Sequence, residues 1–415
     1  MQLFSSRMAI QLCTILQSII VARLLGPEGK GLFTEITIYP SLIGSVAMLG
    51  LYTGIVRLSA KPNIRLSKNI TKAILGCCTI CGVVGSIICY FVNYEVFHNT
   101  DSIALAAQIY AIYVLIYTLN RGLSAFNNGT QNLKLFSISS VILYPTYFFS
   151  IILLWICGLV TVSTCIYALL LANIISCAYL FIKNEEKLDG RKSFPIKWLF
   201  KYSIKFSIAD FAEPIYLYFD KALLAIFLGA YDLGLYTIAI SSGGLINLFS
   251  NTFSIKLFSD IANNQTSNVA QYIRYNLILM GISAIVLSIL FPIIIPLIYG
   301  KAYSPSVIPA IIALLICIVQ GQTYILERSI LATGRPFVGV IAKAISMGAL
   351  AAVLLILYFF GQASVLTACI AYLFTSLIYY TYIRLKATKI LKLSGSLIPQ
   401  KRDIQLLVSL IKQII

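Results

Sequence analysis

Two stretches of this chain carry the same punctuation 203 residues apart, each lying between two apolar runs. Leu25-Gly26-(four residues)-Gly31-Leu32-Phe33-Thr34 returns as Leu228-Gly229-(four residues)-Gly234-Leu235-Tyr236-Thr237. Five of these ten positions are identical, and Phe33/Tyr236 is an aromatic pair. Glycine adopts the left-handed conformation that ends a helix, so each copy reads as a tight turn joining two membrane helices. A repeat at half the chain length implies two lobes of one design, an arrangement typical of membrane transporters. Ser124 and Gly129 echo Ser329 and Gly334 at an offset of 205, placing the fourth apolar run over the tenth.

The runs are long enough to matter. Hydrophobic residues make up 59% of the 415 and charged residues 11%, with a mean hydropathy of +0.91. A soluble domain carries roughly 25% charged residues. Apolar stretches of ~20 residues recur, each able to cross a ~30 Å hydrocarbon core. Twelve spans are expected, near 8–25, 32–56, 71–92, 102–127, 134–158, 160–182, 204–228, 234–256, 275–298, 306–332, 337–360 and 363–383. The expected fold is therefore all-α and polytopic, with 12 transmembrane helices in two pseudo-symmetric six-helix lobes. Residues 1–182 form the N-lobe and 204–385 the C-lobe, joined by a charged cytoplasmic linker, 183–203, that Gly190 and Pro195 interrupt. The tail 386–415 is basic. Its apolar residues at 404, 407, 408, 411, 414 and 415 give an amphipathic helix suited to the inner leaflet, with partner binding as the alternative.

Charge sets the orientation. With the N-terminus inside, 24 of the 31 Lys and Arg residues fall in cytoplasmic segments, and only Lys30 and Lys301 lie on the far side, Lys30 in a short outward loop at 27–31. The positive-inside rule then puts both termini in the cytoplasm. The net charge of +17 sits in loops that flank membrane helices, which argues against nucleic-acid binding. The first apolar run continues into a turn and a second span, as a retained signal anchor does. The ten cysteines fall within spans, so Cys78-x-x-Cys81 reads as packing rather than as a metal or redox pair.

Ten ionisable residues remain in or at the ends of the spans: Arg23, Glu35, Arg121, Asp210, Glu213, Asp220, Lys221, Glu327, Arg328 and Lys343. A lipid-facing charge at the bilayer centre costs ~2.5–3.5 kcal/mol. Ten of them would cost ~25–35 kcal/mol, beyond the ~5–15 kcal/mol of ordinary fold stability, so most must face protein or a wet cavity between the lobes. In the seventh span Asp210, Glu213, Leu217 and Asp220 share one helical face, bordered by Lys221 and interrupted by Pro214. Such a stripe suits proton exchange or cation binding, or else an inter-helix ion-pair network. In spans four and ten, Asn120-Arg121 and Glu327-Arg328 offer a guanidinium at similar depth, since Arg121 maps to position 326. Arginine presents a rigid fork of donors matched to phosphate oxygens. Tyr113, Tyr117 and Ser124 share a broad face with Arg121, and tyrosines with amides suit a sugar. Pairing of the arginines with local carboxylates, Glu327 above all, is the structural alternative.

No Walker A sequence is present, no His/Cys cluster offers a metal site, and the outward loops are too short for a glycosyl polymerase's active site. No cofactor is expected, although H+ or Na+ coupling remains open.

Arg23-Leu24-Leu25-Gly26-Pro27-Glu28-Gly29-Lys30-Gly31-Leu32-Phe33 resembles the opening signature of polysaccharide flippases in the multidrug/oligosaccharidyl-lipid/polysaccharide (MOP) superfamily. Leu228-Gly229…Gly234-Leu235-Tyr236 and Ile330-Leu331-Ala332-Thr333-Gly334-Arg335-Pro336 are similar to later landmarks of that family. The resemblance implies two six-helix lobes in a V around a cationic cavity, and a lipid-linked oligosaccharide flippase of the O-antigen (Wzx) type in a bacterial inner membrane, not an enzyme. It implies pyrophosphate contacts at Arg121, Lys221 and Arg328; Arg23, Asn120 and Tyr117 complete the candidate substrate site. Asp210, Glu213, Asp220 and Glu327 are candidates for ion coupling. The five basic intramembrane residues face five acidic ones, a departure from a strongly cationic lumen. The partners implied are membrane lipids, a lipid-linked oligosaccharide, and a polysaccharide polymerase with its chain-length regulator. A cation-coupled exporter of small organic cations, a membrane glycosyltransferase or polymerase, and a non-transporting assembly scaffold are the alternatives.

Overall fold

A computed structural model describes residues 2–60, 68–97, 101–185, 196–262 and 269–391. All regular structure among the described residues is helical. Helices satisfy their own backbone hydrogen bonds, which is what apolar runs of this length require in lipid. By their contacts the residues divide into two compact units, Met1–Ala222 and Leu223–Ile415.

The first unit opens with α1 (Gln2–Ala47), which is broken at Gly26, where φ is 69° and ψ is 179°. Pro27 follows at the first position of the second half, where its missing N–H leaves no helical bond unmade. The expected outward loop 27–31 is therefore the first turn of the next helix, and Lys30 lies buried within it. That helix breaks again at Leu49 and Gly50, both with positive φ, and continues at a 50° bend as α2 (Leu51–Ser59). Then come α3 (Lys68–Phe97), α4 (Asp101–Tyr110), α5 (Tyr113–Gly129), α6 (Leu133–Ile156) and α7 (Val162–Glu185). Short α8 (Ile196–Ser203) and a 3-10 turn lead into α9 (Ser207–Phe227), most of which packs with the first unit. Of the expected linker, 186–195 lie outside the described residues, while α8 packs on α2 and α3.

The second unit contains α10 (Ala230–Gly243), a 3-10 turn at Gly244–Ile246, α11 (Asn247–Ala262), α12 (Val269–Tyr299), α13 (Val307–Ala332), α14 (Phe337–Phe359) and α15 (Val365–Leu391). α15 runs past the expected start of the tail at 386, and the amphipathic stretch of the tail lies outside the described residues.

Helical backbone covers each of the twelve expected stretches apart from short breaks. Among the described residues nine helices are long and apolar enough to cross a membrane, or ten with the bent α1–α2 pair taken as one span. α9 falls outside that set because Asp210, Glu213, Asp220 and Lys221 crowd its 21 residues. Stripes such as Ile285, Ile289 and Ile293 on α12 stay open to the surroundings, the surface that acyl chains cover in a bilayer. One apolar core cluster of the first unit packs Leu51, Ile55, Leu58, Phe126 and Leu199 with Cys77, Cys78 and Cys81. All ten cysteines are free, and those of the Cys78-x-x-Cys81 pair serve as small apolar packing groups.

The duplication is written in backbone geometry as well as in sequence. Gly158 and Gly361, 203 residues apart, have φ of 68° and 66°. Their amides donate to Trp155 O and Tyr358 O, both at 3.0 Å. The Thr164 hydroxyl donates to Leu159 O at 2.7 Å, and its counterpart Thr367 donates to Gln362 O at 2.9 Å. At the same offset Thr130-Gln131 matches Thr333-Gly334, with positive φ at both Gln131 and Gly334. The register of spans four and ten is therefore 203 and not 205, which aligns Arg121 with Tyr324 rather than position 326. The opening glycines differ: Gly229 has φ −69° and ψ 165°, extended backbone open to any residue, so only the first copy uses positive φ.

Candidate functional site

In the first unit a row of tyrosines runs from the end of α4 into α5. Tyr110, Tyr113 and Tyr117 follow one another at helical spacing, and Arg121 comes one turn later. The rings of Tyr110 and Tyr113 stack with centroids 5.0 Å apart, and Tyr117 follows at 5.7 Å, tilted 41°. The Arg121 guanidinium lies over the ring of Tyr117 at 5.4 Å and over that of Tyr52, from α2, at 5.9 Å. Asn128 donates to the Tyr52 hydroxyl at 3.3 Å.

α1 supplies the facing wall. Thr37, Ser41 and Ser45 recur every four residues, each turning its hydroxyl back to a main-chain carbonyl one turn earlier. The Ser45 and Tyr117 hydroxyls stand 3.2 Å apart, and Tyr113 and Tyr218 of α9 both reach Ser41. Gly44 lets this column approach: a Cβ there would lie 2.9 Å from Cδ1 of Tyr117.

Arg121 is exposed, and among the described residues no carboxylate stands at salt-bridge distance from it. Two cation–π contacts at an exposed site contribute roughly 1–2 kcal/mol together, less than the ~2.5–3.5 kcal/mol cost of an arginine at the bilayer centre. A planar guanidinium backed by aromatic faces and bordered by hydroxyls can grip phosphate oxygens while leaving ring edges for a sugar.

The other candidates occupy several environments. Asn120 turns the other way, donating to Ser176 of α7 at 3.1 Å and accepting from Ser124 at 3.3 Å, so it ties helices together. Arg23 is exposed just before the Gly26 break. Lys221 is half-buried, near enough to Lys30 for their ammonium charges to repel, and Lys30 itself sits 5.2 Å from the Phe33 ring. The carboxylates of α9 do not converge. Asp210 accepts from Thr53 N at 3.2 Å and Thr53 Oγ1 at 2.6 Å, Glu213 is exposed, and Asp220 is buried. With a rise of ~1.5 Å per residue, Asp210 and Asp220 stand about 15 Å apart along the helix. Among the described residues no three His, Cys, Asp or Glu side chains form a metal-binding group.

In the second unit Arg328 is half-buried over the ring of Tyr324 at 4.9 Å. Its neighbour Glu327 is engaged elsewhere: Lys343 Nζ of α14 lies 2.7 Å from Oε1, and the Tyr379 hydroxyl of α15 donates to Oε2 at 2.7 Å. Gly339 lies against that carboxylate, leaving no room for a side chain. The alternative of an arginine paired with Glu327 gives way to a buried lysine–glutamate–tyrosine cluster joining three helices.

Tyr52, Gly44 and the Thr37/Ser41/Ser45 stripe escaped the sequence reading. The four-residue hydroxyl spacing within an apolar span was the available signal. Nothing in the sequence places Tyr52 beside Arg121, because they belong to different spans.

The family model described as polysaccharide biosynthesis protein matches residues 1–258. No curated protein matches the chain. Among solved structures, the inward closed conformation of the lipid II flippase MurJ superposes with a TM-score of 0.73 at 17% identity, covering 92% of this chain and 87% of that one. An inward-facing multidrug resistance MATE family transporter of the MOP superfamily gives 0.69 at 13% identity, covering 93% and 96%. A MOP superfamily transporter from Pyrococcus furiosus gives 0.60 at 13%, covering 94% and 95%. At these identities the likeness establishes a shared architecture. The chain belongs to the polysaccharide biosynthesis protein family and is a multi-pass membrane protein with the fold of MOP superfamily transporters.

Proposed function

We propose that the protein is a flippase. It moves undecaprenyl-pyrophosphate-linked oligosaccharide, an O-antigen or related surface-polysaccharide repeat unit, from the cytoplasmic to the periplasmic leaflet of a bacterial inner membrane by alternating access. The observation that carries this reading is Arg121: an exposed guanidinium on two tyrosine rings, without a carboxylate at salt-bridge distance among the described residues, in a chain of the polysaccharide biosynthesis family. The pyrophosphate exchanges its hydration for the guanidinium donors, and the polyprenyl tail stays among acyl chains, where it has no desolvation cost. The tyrosine column offers ring faces and hydroxyls to the sugars that follow. Lys221, Arg328 and Arg23 are further contacts for the anionic head in this reading. Asp210, Glu213, Asp220 and Glu327 are the candidate carboxylates for coupling movement to a proton or sodium gradient. Both termini are cytoplasmic, and a polymerase with its chain-length regulator receives the product.

Deletion of the gene followed by analysis of lipid-linked oligosaccharides tests the proposal. The expected outcome is loss of the surface glycan with its lipid-linked precursor held on the inner leaflet. Normal glycan without such a precursor would sink it. Vesicles that export a labelled organic cation, with lipid-linked sugars unaffected, would assign the chain to small-molecule export instead.

A further inference from the structure

The break before α2 leaves it with a fresh helix N-terminus, whose orphan amides need partners. Gly50 takes φ 73° there and offers no side-chain cap of its own. The cap comes from α9. Asp210 accepts from both the amide and the hydroxyl of Thr53, the third residue of α2, as an N-cap side chain does from within a chain. A carboxylate also complements the positive end of the helix dipole.

The contact continues along one edge of α2. Gly50 and Gly54 both lie against Ser203, so close that a Cβ at either would collide with it. One turn on, the Arg57 guanidinium lies 4.6 Å from the Phe206 ring. α2 is thus zipped to the α8–α9 corner at four levels. Tyr52 precedes Thr53, and its ring is one of the two that hold the Arg121 guanidinium.

We propose that Asp210 is a positioning residue for the Arg121 site, acting through Thr53 and the Tyr52 ring. The carboxylate fixes the first turn of α2, the turn fixes Tyr52, and Tyr52 with Tyr117 fixes the direction of the guanidinium fork toward a pyrophosphate. The inference rests on Arg121 being the anion-binding group of the flippase reading.

The test uses full-length protein in nanodiscs with undecaprenyl pyrophosphate and undecaprenol as probes. Wild type is expected to prefer the pyrophosphate in a salt-dependent way. Asp210→Ala and Thr53→Val should each weaken pyrophosphate binding roughly five- to thirtyfold, the range an internal cap commands, and leave undecaprenol binding unchanged. Thr53→Ser keeps both donors and should restore wild-type binding. Asp210→Ala combined with Tyr52→Ala should be less than additive, since both act through one turn. Folded Asp210→Ala and Thr53→Val proteins that bind pyrophosphate like wild type would overturn the proposal, as would strict additivity. Wild type that binds both lipids equally would instead remove Arg121 as the anion-binding group, and this inference with it.

Discussion

The ring of Tyr117 rests on the backbone of Gly44, with no space for even a methyl group between them. That approach brings the tyrosine column of α5 against the hydroxyl stripe of α1 and sets where Arg121 stands. Gly44→Ala forces either the ring or the helix to move, and overpacking of this kind costs about 1–3 kcal/mol. Surface glycan normalised to folded protein should fall severalfold. Full export by Gly44→Ala alone would show that the ring's position is immaterial.

Arg121→Ala should abolish export without loss of folded protein, because the guanidinium sits on ring faces rather than inside an ion pair. Arg121→Lys keeps the charge and loses the fork, so residual export should lie between the two. Arg328→Ala is expected to abolish export likewise. Glycan assays on membranes with matched protein levels decide this, and full activity in the alanine variants would take these residues out of the pathway.

The Glu327–Lys343–Tyr379 cluster makes a stability prediction. Lys343→Met leaves a half-buried carboxylate without its counter-charge, a change that costs at most about 3–5 kcal/mol, whereas Glu327→Gln with Lys343→Met together should recover much of that loss. Thermal unfolding in detergent should show a large drop in Tm for the single variant and a smaller one for the pair. Equal drops would mean that the pair is not coupled.

The glycines of the repeat should respond unequally. Gly26→Ala places a Cβ at φ 69° and ψ 179°, a region that strains any other residue by about 1–3 kcal/mol, although nothing stands near enough to clash. Gly229→Ala, on extended backbone, should be close to neutral. Matched losses at the two sites, read from thermal melts, would contradict the backbone asymmetry.

Much of the architecture was legible because lipid permits so few solutions: apolar runs of span length become helices, and the glycine repeat marks the duplication. The register was harder. Ser124/Ser329 and Gly129/Gly334 suggest 205, yet the backbone matches Gln131 with Gly334, because positive φ and not residue identity defines the equivalent turn. The short outward loop expected at 27–31, with Lys30 in it, is helix instead, because one residue, Gly26, completes the turn alone. Arg121 and Tyr117 could be found from spacing on one helix. Tyr52 could not, because helical periodicity reports faces and not neighbours, and the acidic stripe of α9 shared a face without sharing an environment.

The cap on α2 has a consequence for biogenesis. Thr53 leaves the ribosome 157 residues ahead of the carboxylate that satisfies its amide. The contact that caps α2 can therefore be completed only once α9 has been made. A chain truncated before Ile196 carries the break without its clamp, and its α2 should exchange amide hydrogens faster than in the whole protein.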